Sequence, residues 1–409
     1  MNEHLKRNWS NYFQIYVFAL IFFGVFFLYS KHDVGNDSSI SDWLINYEGG
    51  FVRRGLIGEL MTNFSIMLSL KLRDTILIFQ LLFFTSYYFL IILFCKNLLQ
   101  NRLIILAIFS PIFILYPVAE IEALGRKELI IFLIFLSYLL TDIKNFKVQI
   151  IYKVILFPIS ILTWEPVFIF FSFVFLIDLF VFQIRNFDKK FFYLIASYLI
   201  SIFLVILIYL NPFSQENHNV MRDFLNNEFG EICYMSCDFV GQQSSNSFSE
   251  LYQTFLVKFK FTYALRYLII ILIGFFPLYL LSTYSKINHK KQILIISKCK
   301  NLFFPFLLAF LPSTVLYLVM YDWARVVHIS YTFYLLAFLY LIKENFIELS
   351  NQKVQANYIS KVSKKVFIIV FFLFTFSWNP KVVMADDVAS KPIYATPYKF
   401  YKYFIRDKF

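Results

Sequence analysis

Glycine is scarce in this chain of 409 residues, ten in all, and cysteine scarcer still at four. No glycine cluster has the spacing of a dinucleotide fingerprint or a phosphate-binding loop, and no histidine pair has the helical spacing of a zinc protease. Cys233 and Cys237 stand alone, which disfavours zinc. Cys95 and Cys299 read as ordinary buried or reduced thiols. Charged residues make up only 16% of the chain, and no internal repeat is present. No cofactor and no metal are expected.

What fills the chain instead is apolar: 59% of residues are hydrophobic, 22% are aromatic and 55 are phenylalanine. Several apolar runs are long enough to cross a bilayer, so the expected fold is an all-α integral membrane protein. Spans are expected near 12–29, 75–95, 103–119, 129–141, 150–163, 167–184, 191–210, 264–284, 302–320, 329–342 and 366–379, giving 10–11 transmembrane helices in one polytopic domain, 1–409. The first run follows Lys6 and Arg7, exceeds a signal-peptide core and lacks a small-residue cleavage site, so it is expected to stay as an anchor. The net charge of +12 sits in short loops rather than on one patch, which argues for topology and against nucleic acid.

With the N-terminus inside, the inner loops carry 20 Lys and Arg and the outer loops 11, apart from the six in the tail beyond Pro380. The positive-inside rule favours that orientation. It places every unusual charged cluster on the outer face. The first outer loop and the surface helix after it occupy 30–74, and the longest outer segment, 211–263, carries Cys233 and Cys237. These two can close a disulfide in an oxidising compartment, provided that the backbone there departs from a regular helix.

The stretch Ser41 to Glu59 concentrates acids, arginines and a Gly49-Gly50 pair behind the first span. Leu56, Leu60, Phe64 and Leu68 recur every four residues, the pattern of an amphipathic helix at a membrane surface. Asp42 is a candidate general base, or else a solvated loop acid beside an interfacial Trp43; as a base it is expected near its ordinary pKa. Arg53 and Arg54 suit bidentate binding of a diphosphate, or else contact lipid headgroups; adjacent arginines diverge, so one is expected to face the site. Arg126, Lys127 and Glu128 open a span, as an anion site or a self-neutralising cluster. Glu165, alone in a long apolar stretch, is a second acid/base candidate or the partner of an arginine. Asp322 and Arg325 are three apart, either a local ion pair or a phosphate-reaching arginine with its orienting acid. His328 reads as structural.

The spans 129–141 and 150–163 rise only about 20 Å, against a hydrocarbon core of about 30 Å. Their charged outer ends then lie below the membrane surface in a recess open to lipid and water, suited to a substrate with a greasy tail and a polar head.

An acid in the first outer loop, a glycine-flanked Arg53-Arg54 helix, the Arg126-Lys127-Glu128 cluster, an intramembrane Glu165 and the Asp322-Trp323-Ala324-Arg325 element together resemble bacterial O-antigen and capsular polysaccharide polymerases. More broadly they resemble GT-C glycosyltransferases. The resemblance implies a loop acid at Asp42, and arginines at 53, 54, 126 and 325 on undecaprenyl diphosphate. It implies membrane lipid, an undecaprenyl-diphosphate-linked glycan and a polysaccharide chain-length regulator as partners, and a multi-pass place in the inner membrane with a periplasmic active site. The expected activity is polymerisation of lipid-linked repeat units. The alternatives are transfer of a single sugar from a polyprenyl-phosphate donor, and flipping or transport of a lipid-linked glycan. The chain departs from large GT-C enzymes in having no sizeable C-terminal soluble domain.

Overall fold

The computed structural model describes residues 3–34, 38–99, 101–184, 187, 189–242, 261–288, 299, 301–320, 322–350, 362–380 and 389–390. Almost all of these that are regular are helical. The only strands among them form two short antiparallel pairs, Ser285–Ile287 with Ile347–Leu349 and Asn379–Pro380 with Ala389–Ser390. The tail beyond 390 and residues 243–260 of the longest outer segment, with the membrane side expected for each, lie outside the described residues.

Among the described residues, five helices are long and apolar enough to cross a membrane: Asn8–Lys31, Leu72–Cys95, Lys189–Leu210, Ala264–Tyr284 and Trp323–Lys343. The other six apolar runs form shorter or interrupted helices. Arg102–Ile108 stops before Ser110-Pro111, and helix resumes only over Tyr116–Ala119. Proline lacks the amide donor and disfavours helix in the residue before it. In the same way Phe303–Phe310 passes through a tight turn at Leu311–Val315, which contains Pro312, into Leu316–Val319. Glu128–Leu140 and Val167–Val181 are simply short, and Phe146–Ile150 continues through a π turn, Ile151–Leu156, into Phe157–Thr163.

The helix Trp323–Lys343 is the hub: 89% of its apolar window is buried, against 17% for Lys189–Leu210, so among the described residues protein surrounds the first and leaves most of the second uncovered. Lipid supplies no hydrophobic drive between helices, and close packing has to hold them. Aromatic rings do much of this: Phe333 stacks on Phe135 at 4.4 Å and on Phe170 at 5.2 Å, and Tyr334 on Phe306 at 4.6 Å. Gly24 lets the first helix lie directly on Phe84, whose ring would be 2.1 Å from an added Cβ.

A second apolar cluster caps one end of the bundle, built from Ile40, Trp43, Leu44, Ile45, Ile57 and Met61 against Met221 and Leu225. The helix Gly55–Leu68 buries its small-residue face here, because at Gly58 a Cβ would come within 1.9 Å of the Ile45 carbonyl. The expected apolar stripe is therefore split: Leu60 and Leu68 point away from the cap core, exposed at 41% and 54%, Leu56 is half-buried, and Phe64 packs against the core. The helix Gln215–Phe229 closes the cap from above, its Asn217 carbonyl sitting where a Gly49 Cβ would be. Arg73 ties this layer to the bundle with two hydrogen bonds to Glu231, 2.6 and 2.9 Å. Cys233 and Cys237 are disulfide-bonded with Cα atoms 5.3 Å apart. The irregular backbone that such a bridge requires is present: Gly230 and Met235 both have positive φ, and the helix Ser236–Gln242 begins between the cysteines.

Candidate functional site

Beneath the cap, the turn Asp42–Leu44 is pinned to a second turn at Gly125. Trp43 Nε1 donates to the Gly125 carbonyl at 2.8 Å, and Gln80 Nε2 donates to the same carbonyl and to that of Ser39, both at 2.9 Å. This anchoring turns Asp42 inward until it is 1% exposed. Among the described residues, neither of its carboxylate oxygens has a hydrogen-bond partner. A buried charge without hydrogen bonds is costly unless opposite charges surround it.

Opposite charges do surround it. The backbone reverses at Gly50 (φ 105°), where the Gly50 amide donates to Tyr47 O at 2.8 Å, and then enters the left-handed region at Arg54 (φ 64°). A non-glycine residue held there costs on the order of 1–3 kcal/mol and needs its surroundings to fix it. Two contacts do so: Lys127 Nζ donates to the Arg54 carbonyl at 2.7 Å, and the Arg54 guanidinium grips Glu165 through two 2.8 Å bonds. Arg53 Nη1 lies 3.7 Å from the same carboxylate, so both arginines approach Glu165, where their divergence predicts one. Both Glu165 oxygens are engaged, which makes it the arginines' partner, with its carboxylate less open to a substrate proton than that of Asp42.

Lys127 is fully buried, and Arg126 Nε donates to the Glu122 carbonyl at 2.7 Å. Glu128 reaches across to Arg325, whose other terminal nitrogen holds Asp322 Oδ2 at 2.9 Å. The local Asp322–Arg325 pair thus exists and is part of a larger chain of charge.

Burial alone would raise the Asp42 pKa, but the combined field of Lys127, Arg54, Arg325 and Arg126 holds it below the ordinary carboxylate value. This corrects the expectation of an ordinary pKa. Glu165 is likewise driven up by burial and brought net below its usual value by Arg54 and Arg53. Burial pushes Lys127 down to about 8 and Arg53 down to about 10, against the pull of Asp42 and of Glu165 respectively. Arg54 is raised overall, since Glu165 outweighs its burial.

The structure thus brings together all eight residues singled out from sequence: Asp42, Glu165, Arg53, Arg54, Arg126, Lys127, Asp322 and Arg325. Sequence reasoning missed the supports. Gln80 and the Gly125 carbonyl position the Asp42 turn, and the signal for the first was a lone amide inside an apolar run. His328, read as structural, is buried with Nδ1 2.9 Å from the Ile112 carbonyl. A third omission lies at a distance from this cluster: Lys153, counted among the inner-loop cations, is buried and paired with Asp178 at 2.7 Å. Asp178 also accepts hydrogen bonds from Tyr138 and, at 2.7 Å, from Tyr198. Among the described residues no group of three His, Cys, Asp or Glu side chains could hold a metal ion.

No family model matches the chain, and neither does any curated protein or solved structure. Function has to be read from the site. It combines a buried, unbonded carboxylate with several buried or partly buried cations, an arrangement able to bind a polyanion and to receive a proton beside it.

Proposed function

We propose that this protein is a membrane glycosyltransferase that polymerises undecaprenyl-diphosphate-linked oligosaccharide repeat units on the outer face of a bacterial inner membrane. The observation that carries the proposal is Asp42: a buried carboxylate with both oxygens unbonded, held among Lys127, Arg54, Arg325 and Arg126. In this reading the N-terminus is cytoplasmic, the chain crosses ten or eleven times, and Gly55–Leu68 lies in the interface with its Leu60 and Leu68 side in lipid. The Cys233–Cys237 disulfide accords with an oxidising outer compartment.

The reaction is a displacement at an anomeric carbon. A hydroxyl oxygen of the acceptor glycan forms the new C–O bond, and its proton passes to Asp42. The bond from the donor's anomeric carbon to the diphosphate breaks, and its electron pair leaves on the diphosphate oxygen, which Arg54, Lys127 and Arg325 neutralise. A carboxylate with a depressed pKa is a poor base in the empty site. Arrival of the diphosphate offsets the cations that depress it, so Asp42 gains basicity when the donor is in place.

The test is a gel of surface polysaccharide from cells lacking this gene, complemented with wild type or with Asp42→Asn. The expected result is a single repeat unit on the lipid core in the deletion, a ladder with wild type, and no ladder with the variant. Long chains of altered mobility in the deletion would instead favour single-sugar transfer, and an unchanged ladder in the deletion would overturn both.

A further inference from the structure

Arg54 and Arg73 each give both Nε and a terminal nitrogen to a glutamate, at 2.8 and 2.8 Å on Glu165 and at 2.6 and 2.9 Å on Glu231. The grip of Arg325 on Glu128 is only half made. Its Nη2 donates to Glu128 Oε1, while the two atoms of the other limb, Arg325 Nε and Glu128 Oε2, are buried without a hydrogen-bond partner among the described residues. Guanidinium and carboxylate match two bonds to two, so an open limb between buried groups calls for something in the gap.

Both residues line a cavity of about 20 Å³, against the roughly 10–15 Å³ that one water requires. Tyr116 and His328 line it with them, and each of the four residues is less than 8% exposed. Tyr116 Oη and His328 Nε2 likewise have no partner among the described residues. His328 Nδ1 lies 2.9 Å from the Ile112 carbonyl, which only accepts, so a neutral ring donates there and keeps a lone pair at Nε2. Arg126 is the other charged residue of the lining, and its Nε is already given to the Glu122 carbonyl.

The four atoms therefore ask for two protons, at Glu128 Oε2 and His328 Nε2, and for two lone pairs, at Arg325 Nε and the Tyr116 hydroxyl. Water carries two of each. A hydroxyl group brings one proton, a metal ion or ammonium brings no lone pair for the guanidinium, and an anion brings no proton for the acceptors.

We propose that one ordered water completes the Arg325–Glu128 grip, and that Tyr116 and His328 hold this water and through it position Arg325 toward the lipid diphosphate. The water follows from the cavity; its bearing on the diphosphate rests on the proposed function above. Arg325 is where the two meet. Its Nη1 holds Asp322 Oδ2 at 2.9 Å, and its charge contributes to the field on Asp42. With Nε bonded as well, the guanidinium is fixed at all three nitrogens, and each terminal nitrogen keeps an N–H for an anion.

Two measurements on the full-length protein in nanodiscs test the two parts. A cryo-EM map at about 2 Å, with a rigid antibody fragment bound, should show a peak about 2.7–3.2 Å from Arg325 Nε, Glu128 Oε2, His328 Nε2 and Tyr116 Oη. No peak, or Arg325 Nε bonded directly to Glu128 Oε2, would overturn the water. Titration with bare undecaprenyl diphosphate tests the positioning. Tyr116→Phe should weaken binding about threefold and His328→Leu about tenfold. His328→Gln, whose amide can both donate to Ile112 and accept from the water, should stay within about threefold of wild type. Tyr116→Phe deletes one hydroxyl, so its thermal midpoint should move by no more than about 2 °C, which separates lost affinity from a folding defect. Unchanged affinity in both Tyr116→Phe and His328→Leu would overturn the positioning role. If the peak is present and wild type binds no undecaprenyl diphosphate, the proposed function fails and the positioning role with it, while the water stands.

Discussion

Two buried ionic assemblies lie among the described residues, and they differ in how completely the hydrogen bonds of their central carboxylates are met. Around Asp178 the carboxylate takes Lys153, Tyr138 and Tyr198, and the Lys153 ammonium also lies 4.9 Å from the Tyr198 ring. That carboxylate is satisfied by its own protein, as a structural ion pair must be. Around Asp42 there are more charges and fewer bonds: among the described residues the acid has no hydrogen-bond donor, and Glu128, Arg325 and His328 each keep an unpaired polar atom. Burial and charge alone do not distinguish a site from a strut. The unbonded Asp42 carboxylate is the feature on which the proposed function draws.

The contrast can be broken most sharply at the two acids. Asp42→Asn should lower glycan transfer by about 10²–10⁴-fold, the usual worth of a positioned general base, with normal amounts of protein in the membrane. Comparable turnover of the variant and wild type, followed by product mass, would remove Asp42 from the chemistry.

Asp178→Ala should act on stability instead. Leaving Lys153 buried without its partner is expected to cost about 3–5 kcal/mol in detergent unfolding. Lys153→Met combined with Asp178→Asn should recover most of that, because the amide oxygen still accepts from Tyr138 and the amide NH2 can donate to the Tyr198 hydroxyl. Transfer by this double variant should match wild type; a stable but inactive double variant would make the second assembly functional too.

Smaller effects sharpen the picture. Replacing Cys233 and Cys237 with Ser should cost about 2 kcal/mol, the scale set by closing so short a loop. Because Asn217 of the same layer backs Gly49, hydrogen exchange should rise across 42–54 as well; exchange confined to 230–242 would disconnect the cap from the site.

The smallest expected effect is a pH limb. Lys127 must be charged to hold a diphosphate, so affinity for bare undecaprenyl diphosphate should fall up to about tenfold per pH unit as pH rises through about 8. Lys127→Arg should remove that limb, since guanidinium stays charged; a limb that persists would belong to another group. Stability moves the other way. The folded pKa of Lys127 lies below its unfolded value, so its buried charge is a cost below about 8 that eases as pH climbs toward 10.5. Asp42 has the opposite sense: its contribution is full above its ordinary 3.8 and is lost as pH falls through its depressed value.

Much of the site was legible because charge is rare in this chain. Asp42, Arg54, Lys127, Glu165 and Arg325 stand out against apolar surroundings, and the expense of burying them makes it natural that they meet. Pairing was less legible. Whether Glu128 neutralises Arg126 or reaches Arg325, some two hundred residues away, depends on the Trp323–Lys343 helix lying against Glu128–Leu140, which no local pattern encodes. The same limit hid Lys153, which reads as a loop cation until Asp178 is seen beside it. Among the elements, the longest apolar helices were plain, whereas the breaks at Pro111 and Pro312 inside two of the expected spans were not, because hydropathy registers composition and not backbone donors. The surface-helix pattern marked where a helix runs, and the small residues Gly55 and Gly58, which periodicity of apolar residues passes over, decided which face met the protein.

The central claim is that the unsatisfied assembly transfers glycan while the satisfied one only holds helices together. The most direct measurement is mass spectrometry of products formed by purified protein in liposomes from the lipid-linked repeat unit. Wild type and the Lys153→Met/Asp178→Asn double variant should both extend the glycan by whole repeat units, releasing one undecaprenyl diphosphate per addition, and Asp42→Asn should yield neither product. Extension by Asp42→Asn at the wild-type rate, or its loss in a stably folded double variant, would contradict the account.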